Sequence, residues 1–299
     1  MRLLVFALAA QFLLFGALIY FAVAGWPFLG PPAEARDSGA VPAARTARFD
    51  VRRAWADIRL QLAAGQRPAG SVALQRLAPV LAAKLPNGHA EPVPGGLQNL
   101  VGVLPGRRPA IVIGAHYDTE ARPRGFVGAN DSAAGTAAVI EMARSLARDR
   151  RPGGRELRFV LFDGEEEPLR STDFARDALR GSKAYVRAHR GEIGEMILLD
   201  YVANRGLSIE RERGSDPRLW ARLRRAARRA GVGAVFPDRE RGELILDDHT
   251  AFADAGIPAI DLIDFDYRYR DTVRDTIDKL DPRSLDAVGE SVAELLHGR

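Results

Sequence analysis

Short continuous runs of apolar residues mark the predicted strands of this chain. Each run is four to six residues long, which is typical of strands that are buried on both faces. The runs cover residues 99–104, 110–115, 157–162, 196–199 and 259–263. Because polar and apolar residues hardly alternate within these runs, the runs favour a sheet that is covered by helices on both sides.

Longer segments before, between and after these runs repeat their apolar side chains with the period of an amphipathic helix. They cover residues 48–63, 72–85, 132–147, 181–189, 217–230 and 283–296. Ser71 and Asp216 immediately precede two of the segments and are predicted N-caps. Since strands and helices alternate, the pattern predicts an α/β fold, in which a single domain has a mainly parallel (mixed) central sheet with helices on both faces.

The N-terminus has a different pattern. Residues 3–24 contain no charged side chain, and a helix of this length is about 33 Å long, enough to cross a hydrocarbon core of about 30 Å. Residues 1–24 are therefore predicted to be a transmembrane anchor that leaves the rest of the chain extracytoplasmic. The alternative is a signal peptide cut after Ala24, which would give a secreted protein. The Pro- and Ala-rich residues 25–45 are predicted to be a tether, and residues 46–299 the folded domain.

Composition excludes several classes of protein. With 46% hydrophobic and 27% charged residues among 299, the chain has the make-up of a globular domain. Because it has no cysteine, disulfides, thiolate-bound metals and a thiol nucleophile are excluded. The net charge is +4, but the basic residues are nearly all Arg and are spread along the chain, so no nucleic-acid partner is predicted. The Arg-rich helix at 217–230 is interpreted as a solvated face, with contact to acidic lipids as the less favoured alternative.

Acidic residues and one histidine gather where the predicted strands end. The candidates are His116, Asp118, Asp131, Glu165, Glu166, Asp200 and Asp247. Taken singly, each has an ordinary explanation as a loop residue, a helix cap or a solvated face. Because the carboxyl ends of parallel strands meet at one edge, however, most of them are expected to lie close together. So many acids at one edge need a cation, and oxygen-rich ligands predict a divalent metal.

The order of these motifs resembles a known family. The motifs read GAHYD at 114–118, GANDSAAG at 128–135, FDGEE at 162–166, LLD at 198–200 and DDH at 247–249. Together they resemble the M28 family of zinc peptidases, and within it the branch similar to glutaminyl cyclases. The resemblance covers nearly all of the chain after the tether. It implies the fold of a zinc exopeptidase, one or two zinc ions and a peptide substrate.

The resemblance also implies the metal ligands. His116 and Asp200 would hold one zinc, and Asp131 would bridge to a second ion that Glu166 also holds. The family normally supplies a histidine as a further ligand of the second ion, and this chain has Asp271 there. A site of Asp131, Glu166 and Asp271 is all carboxylate, so other divalent metals could compete with zinc. A one-metal enzyme remains an alternative.

For catalysis, the resemblance implies an aminopeptidase-type exopeptidase acting on exported peptides, with Glu165 as the general base and Asp118 orienting the metal-bound imidazole. One alternative is a glutaminyl-peptide cyclotransferase with a single zinc. In that enzyme Asp200 and Asp247 would belong to a proton network and would not bind metal. The cyclase pattern has an aromatic residue where this chain has Arg270, which favours the peptidase. A second alternative is an inactive binding domain, because the expected histidine is missing.

Overall fold

The computed structural model describes residues 40–149 and 153–297. The predicted anchor at 1–24 and most of the tether at 25–45 lie outside the described residues, so this part of the domain division stays a prediction. Within the part of the chain that is described, no helix is long and apolar enough to cross a membrane.

The strands form a mixed sheet with the spatial order β1-β2-β4-β3-β5-β6. Their bounds are β1 His89–Val93, β2 Leu97–Leu104, β3 Arg107–His116, β4 Arg155–Phe162, β5 Ile193–Asp200 and β6 Ala259–Ile263. β4, β3, β5 and β6 run parallel, and β1 and β2 add an antiparallel edge. The predicted α/β fold with a mainly parallel sheet is therefore confirmed. Sequence analysis missed β1 because it is an edge strand with mostly exposed side chains and contains Pro92, so it shows no apolar run.

Eight α-helices are described in residues 40–149 and 153–297. They are α1 Val51–Ala63, α2 Val72–Ala82, α3 Gly135–Arg148, α4 Phe174–Asp177, α5 Arg180–His189, α6 Pro217–Arg229, α7 Asp248–Asp254 and α8 Pro282–Leu296. The side chains of Ser71 and Asp216 accept backbone N–H bonds at the starts of α2 and α6, as predicted. α3 begins three residues later than predicted, because Ala129–Ala134 form a kinked turn that contains the metal-ligand candidate Asp131.

Both faces of the sheet are covered, and alternate residues of β3 show how. Ile111 and Ile113 belong to the larger core cluster, with residues of α1, α2, α3, α6 and α8. Val112 points to the opposite face, where it clusters with Tyr185 of α5 and Phe252 of α7. Because both faces are occupied, the edge at the carboxyl ends of the strands is the part of the sheet left for chemistry.

Candidate metal centre

The parallel register of β3, β4 and β5 brings their carboxyl ends to one edge of the sheet. His116 is the last residue of β3, and Asp200 is the last residue of β5. Glu165 and Glu166 follow β4, beyond a left-handed turn at Gly164. All four residues are buried. The structure thus brings together the strand-end residues that the sequence analysis selected.

His116, Asp131 and Asp200 form a group that could hold a metal ion. His116 Nε2 lies 3.1 Å from Asp131 Oδ1 and 3.5 Å from Asp200 Oδ1. One donor atom from each residue lies within 4.8 Å of the other two, and all three residues are buried. One imidazole and two carboxylates are a donor set that suits zinc. These residues therefore fit a divalent cation, which would also neutralise the buried acids.

The acidic surroundings perturb the protonation of this group. Burial lowers the pKa of His116, but the carboxylates of Asp118, Asp131 and Asp200 outweigh it and raise the pKa well above its usual value. Burial raises the pKa of Asp200 to about 8, and the charge of Asp131 adds to the rise. Without a cation, the group therefore retains protons that it would release on binding a metal.

The turn that presents Asp131 is held from two sides. Gly128 has φ 57°, and a Cβ there would lie 1.6 Å from the carbonyl oxygen of Asp131, so only glycine fits. Arg67 is fully buried and donates to the carbonyl of Gly128 and to Ser132 Oγ. On the other side, the carboxylate of Asp275 accepts the backbone N–H of Asp131 at 3.1 Å. These contacts fix the backbone of the candidate ligand Asp131.

Asp118 contacts the two glutamates more directly than it contacts the histidine. Its two carboxylate oxygens accept the backbone N–H groups of Glu165 and Glu166, each at 3.3 Å. His116 Nδ1 lies 3.6 Å from Asp118 Oδ1, beyond hydrogen-bond distance, and Nδ1 has no hydrogen-bond partner. The structure therefore shows Asp118 positioning the Glu165–Glu166 backbone, while the predicted orientation of the imidazole stays a prediction.

Glu165 has the environment of a proton-transfer group. Burial raises its pKa well above the usual value, and the charges of Asp247 and Asp248 add to this, although the cationic form of His116 opposes it. Glu165 Oε2 lies 3.8 Å from His116 Nδ1, beside the candidate metal group. Asp247 caps α7, and its Oδ2 is buried without a hydrogen-bond partner. A raised pKa strengthens a carboxylate as a base, so Glu165 is suited to take up a proton and return it during a reaction.

Asp271 is placed differently from the other candidates. Its Oδ1 lies 3.0 Å from the hydroxyl oxygen of Tyr201, which lies 2.7 Å from Asp131 Oδ2. Its Oδ2 accepts the guanidinium Nε of Arg270 at 3.2 Å, and its side chain is 50% exposed. In the described ranges, Glu166 groups with His116 and Glu165, and no group that could hold a metal includes Asp271. Ligation by Asp131, Glu166 and Asp271 together stays a prediction.

Sequence reasoning missed several residues that support the site. Arg67 lies in a Gly- and Pro-containing loop, and nothing in the sequence pattern shows that its side chain is buried. Tyr201 simply follows a predicted ligand. His249 lies in a second buried polar group, with Nε2 3.3 Å from Glu212 Oε1 and Nδ1 3.6 Å from Asp261 Oδ2. Both acids lie outside the DDH motif at 247–249, so that motif does not indicate this group.

The comparison with protein families agrees with this geometry. The family model described as Peptidase family M28 matches residues 99–296, which include every candidate ligand. The chain belongs to peptidase family M28. This confirms the predicted family. It also confirms the prediction that the chain is a homologue of M28 hydrolases or glutaminyl cyclases.

Two curated relatives of this chain are named for different activities, one as an aminopeptidase and one as a cyclotransferase. Aminopeptidase YwaD of Bacillus subtilis (strain 168) is 26% identical over 210 residues, covering 67% of this chain and 44% of the relative. Glutaminyl-peptide cyclotransferase of Bothrops jararaca is 27% identical over 216 residues, covering 59% of this chain and 58% of the relative. The chain therefore spans about half the length of these curated relatives. The solved Acidobacteriales bacterium glutaminyl cyclase has a TM-score of 0.73 at 29% identity, covering 86% of this chain and 97% of that chain.

Proposed function

We propose that this M28 protein is a metal-dependent, aminopeptidase-type exopeptidase that hydrolyses exported peptides. The observation that carries the proposal is the convergence of His116, Asp131 and Asp200 on one buried point. A peptidase would use Asp200 as a ligand, whereas a cyclase would use it in a proton network. Since Asp200 faces the same imidazole nitrogen as Asp131, the geometry favours the peptidase. A divalent ion bound there would polarise the scissile carbonyl and lower the pKa of water.

Glu165 is the proposed general base. It takes a proton from the attacking water as the oxygen adds to the peptide carbonyl carbon. It then gives that proton to the leaving nitrogen as the C–N bond breaks, so that a carboxylate and a free amine are formed. Its burial and its acidic neighbours suit this exchange, because they raise its pKa toward the working range. Asp118 positions Glu165 for the transfer by holding its backbone N–H.

The proposed setting is outside the cytoplasm, with residues 1–24 as a membrane anchor. The uncharged, apolar stretch at residues 3–24 supports this placement. The proposed substrates are therefore peptides on the exported side. Fusing a reporter enzyme that is active only outside the cytoplasm to the C-terminus should give signal, and no signal would contradict the placement.

The test uses the full chain in detergent and two synthetic peptides, one beginning with Leu and one with Gln. Hydrolysis consumes one water, releases a free amino acid and leaves a peptide that is shorter by one residue. Glu165→Gln should lower this rate by roughly 10²–10⁴-fold while leaving the bound metal in place. The exposed, more distant Glu240→Gln is the matched control and should keep wild-type activity. No hydrolysis by metal-loaded wild-type protein would contradict the proposal.

Glutaminyl cyclisation is the second candidate function. It is supported by the similarity to the Acidobacteriales cyclase, which covers 97% of that chain. The same assay distinguishes it, because cyclisation removes ammonia from the Gln peptide and leaves the Leu peptide unchanged. If neither peptide reacts, the result favours the alternative that the chain is an inactive binding domain.

A further inference from the structure

Tyr201, which the proposed reaction does not use, contacts two of the acids that the family resemblance assigns to a second metal. Its hydroxyl oxygen lies 2.7 Å from Asp131 Oδ2 and 3.0 Å from Asp271 Oδ1. We propose that the Tyr201 hydroxyl takes the place of the second metal ion. The chain then binds one divalent ion, at the group of His116, Asp131 and Asp200. The location of that ion rests on the proposed function, whereas the role of Tyr201 does not.

The Tyr201 hydroxyl leaves no space for an ion between Asp131 and Asp271. An ion that bridged Asp131 and Asp271 through the same two oxygen atoms would lie about 2.0–2.2 Å from each. The Tyr201 hydroxyl is within hydrogen-bond distance of both and occupies the gap between them. It offers one hydrogen, which it can donate to either carboxylate, so it links the pair as a neutral group instead of a cation.

The acids that the resemblance assigns to a second ion are also not arranged as a set of ligands. In the part of the chain that the structure describes, Asp131, Glu166 and Asp271 do not converge into a group that could hold a metal, whereas His116, Asp131 and Asp200 do. Asp271 is half exposed and turns its second oxygen to the guanidinium of Arg270. It is therefore already paired with a cationic side chain.

Tyr201 is held in place by contacts of its backbone and of its ring. Its φ is 45°, a left-handed conformation that bulky residues rarely adopt. Its backbone N–H donates to Asp200 Oδ1 at 2.9 Å, and its ring packs 5.9 Å from the ring of Tyr267. The side chain is almost fully buried. Because these contacts fix both its backbone and its ring, the hydroxyl has a defined position between the two acids.

The test counts the metal ions bound by the untagged full chain after equilibrium dialysis against zinc, using plasma mass spectrometry. Four proteins are compared: wild type, Asp271→His, Tyr201→Leu/Asp271→His, and the matched control Tyr269→Leu/Asp271→His. We expect one ion for wild type and for Asp271→His, because Tyr201 still fills the second position. Tyr201→Leu/Asp271→His should bind one additional ion, and the control should not.

Two ions in wild type or in Asp271→His would overturn the inference, since Tyr201 would then not exclude the second ion. A double variant that folds but gains no ion would overturn it as well. Circular dichroism checks folding, and Tyr201→Phe/Asp271→His, which keeps the ring and removes only the oxygen, repeats the comparison if the Leu variant unfolds. Wild type without any ion would contradict the proposed function. The inference would still require the double variant to bind one ion more than wild type.

Discussion

Replacing Arg67 by Met tests whether a buried guanidinium holds the loop that carries Asp131. Arg67 is 0% exposed, and its N–H groups donate to five acceptors. The acceptors are the carbonyls of Gly65, Tyr117, Val127 and Gly128 and the hydroxyl of Ser132. Methionine replaces the aliphatic part of the arginine side chain but has no donor, so Arg67→Met leaves these buried acceptors without their partner.

The magnitude follows from these contacts. A buried polar group that loses its partner costs about 1–3 kcal/mol. Part of the loss is offset because the charge itself is expensive to bury, as the lowering of the pKa of Arg67 to about 10 by burial shows. Because five acceptors lose their donor and only part of that cost is offset, we expect a net loss of about 3–5 kcal/mol. In a domain of this size each kcal/mol lowers Tm by about 2–4 °C, so Tm should fall by about 10 °C.

The assay is thermal unfolding followed by circular dichroism, with and without zinc. Arg59→Met replaces an exposed arginine on α1 and is the matched control, for which we expect an unchanged Tm. Zinc should protect Arg67→Met less than wild type, because the Asp131 turn is no longer fixed. If Arg67→Met melts within about 2 °C of wild type, the reasoning is refuted.

Two further predictions concern stability. Burial raises the pKa of Asp163 to about 7, so the folded state binds more protons than the unfolded state between about pH 4 and 7, and stability falls as pH rises through this window. The free energy of unfolding of Asp163→Asn, measured in urea relative to wild type, should therefore be higher at pH 8 than at pH 5. The same difference between variant and wild type at both pH values would contradict this. Gly135→Ala places a Cβ 2.2 Å from the carbonyl oxygen of Leu199 and should cost about 1–3 kcal/mol, whereas Gly191→Ala meets open space and should leave the urea midpoint unchanged. Equal midpoints for the two variants would show that the contact at Gly135 is relieved without cost.

The central strands could be predicted from sequence because each is buried on both faces. A strand such as β4 then appears as an unbroken apolar run. β1 could not be predicted in this way, since an edge strand needs few apolar side chains. The kinked turn before α3 was also missed, because the apolar period continues through it although the backbone departs from the helix.

The strand-end residues of the site were predictable for a topological reason. Once β3 and β5 are parallel neighbours, His116 and Asp200 must lie at the same edge. The contacts of Tyr201 with Asp131 and Asp271, each 70 residues away in the chain, depend on side-chain directions that no local pattern encodes. For the same reason, the position of Asp118 against the backbone of Glu165 became visible only in three dimensions.

The location of the metal ion tests the central claim most directly. Anomalous diffraction at the zinc edge, from crystals of the folded domain grown with zinc, would show where the ion binds. The account predicts a peak about 2.0–2.2 Å from His116 Nε2 and from one oxygen each of Asp131 and Asp200. A peak enclosed by Asp131, Glu166 and Asp271 alone, or no peak near His116 at saturating zinc, would contradict it.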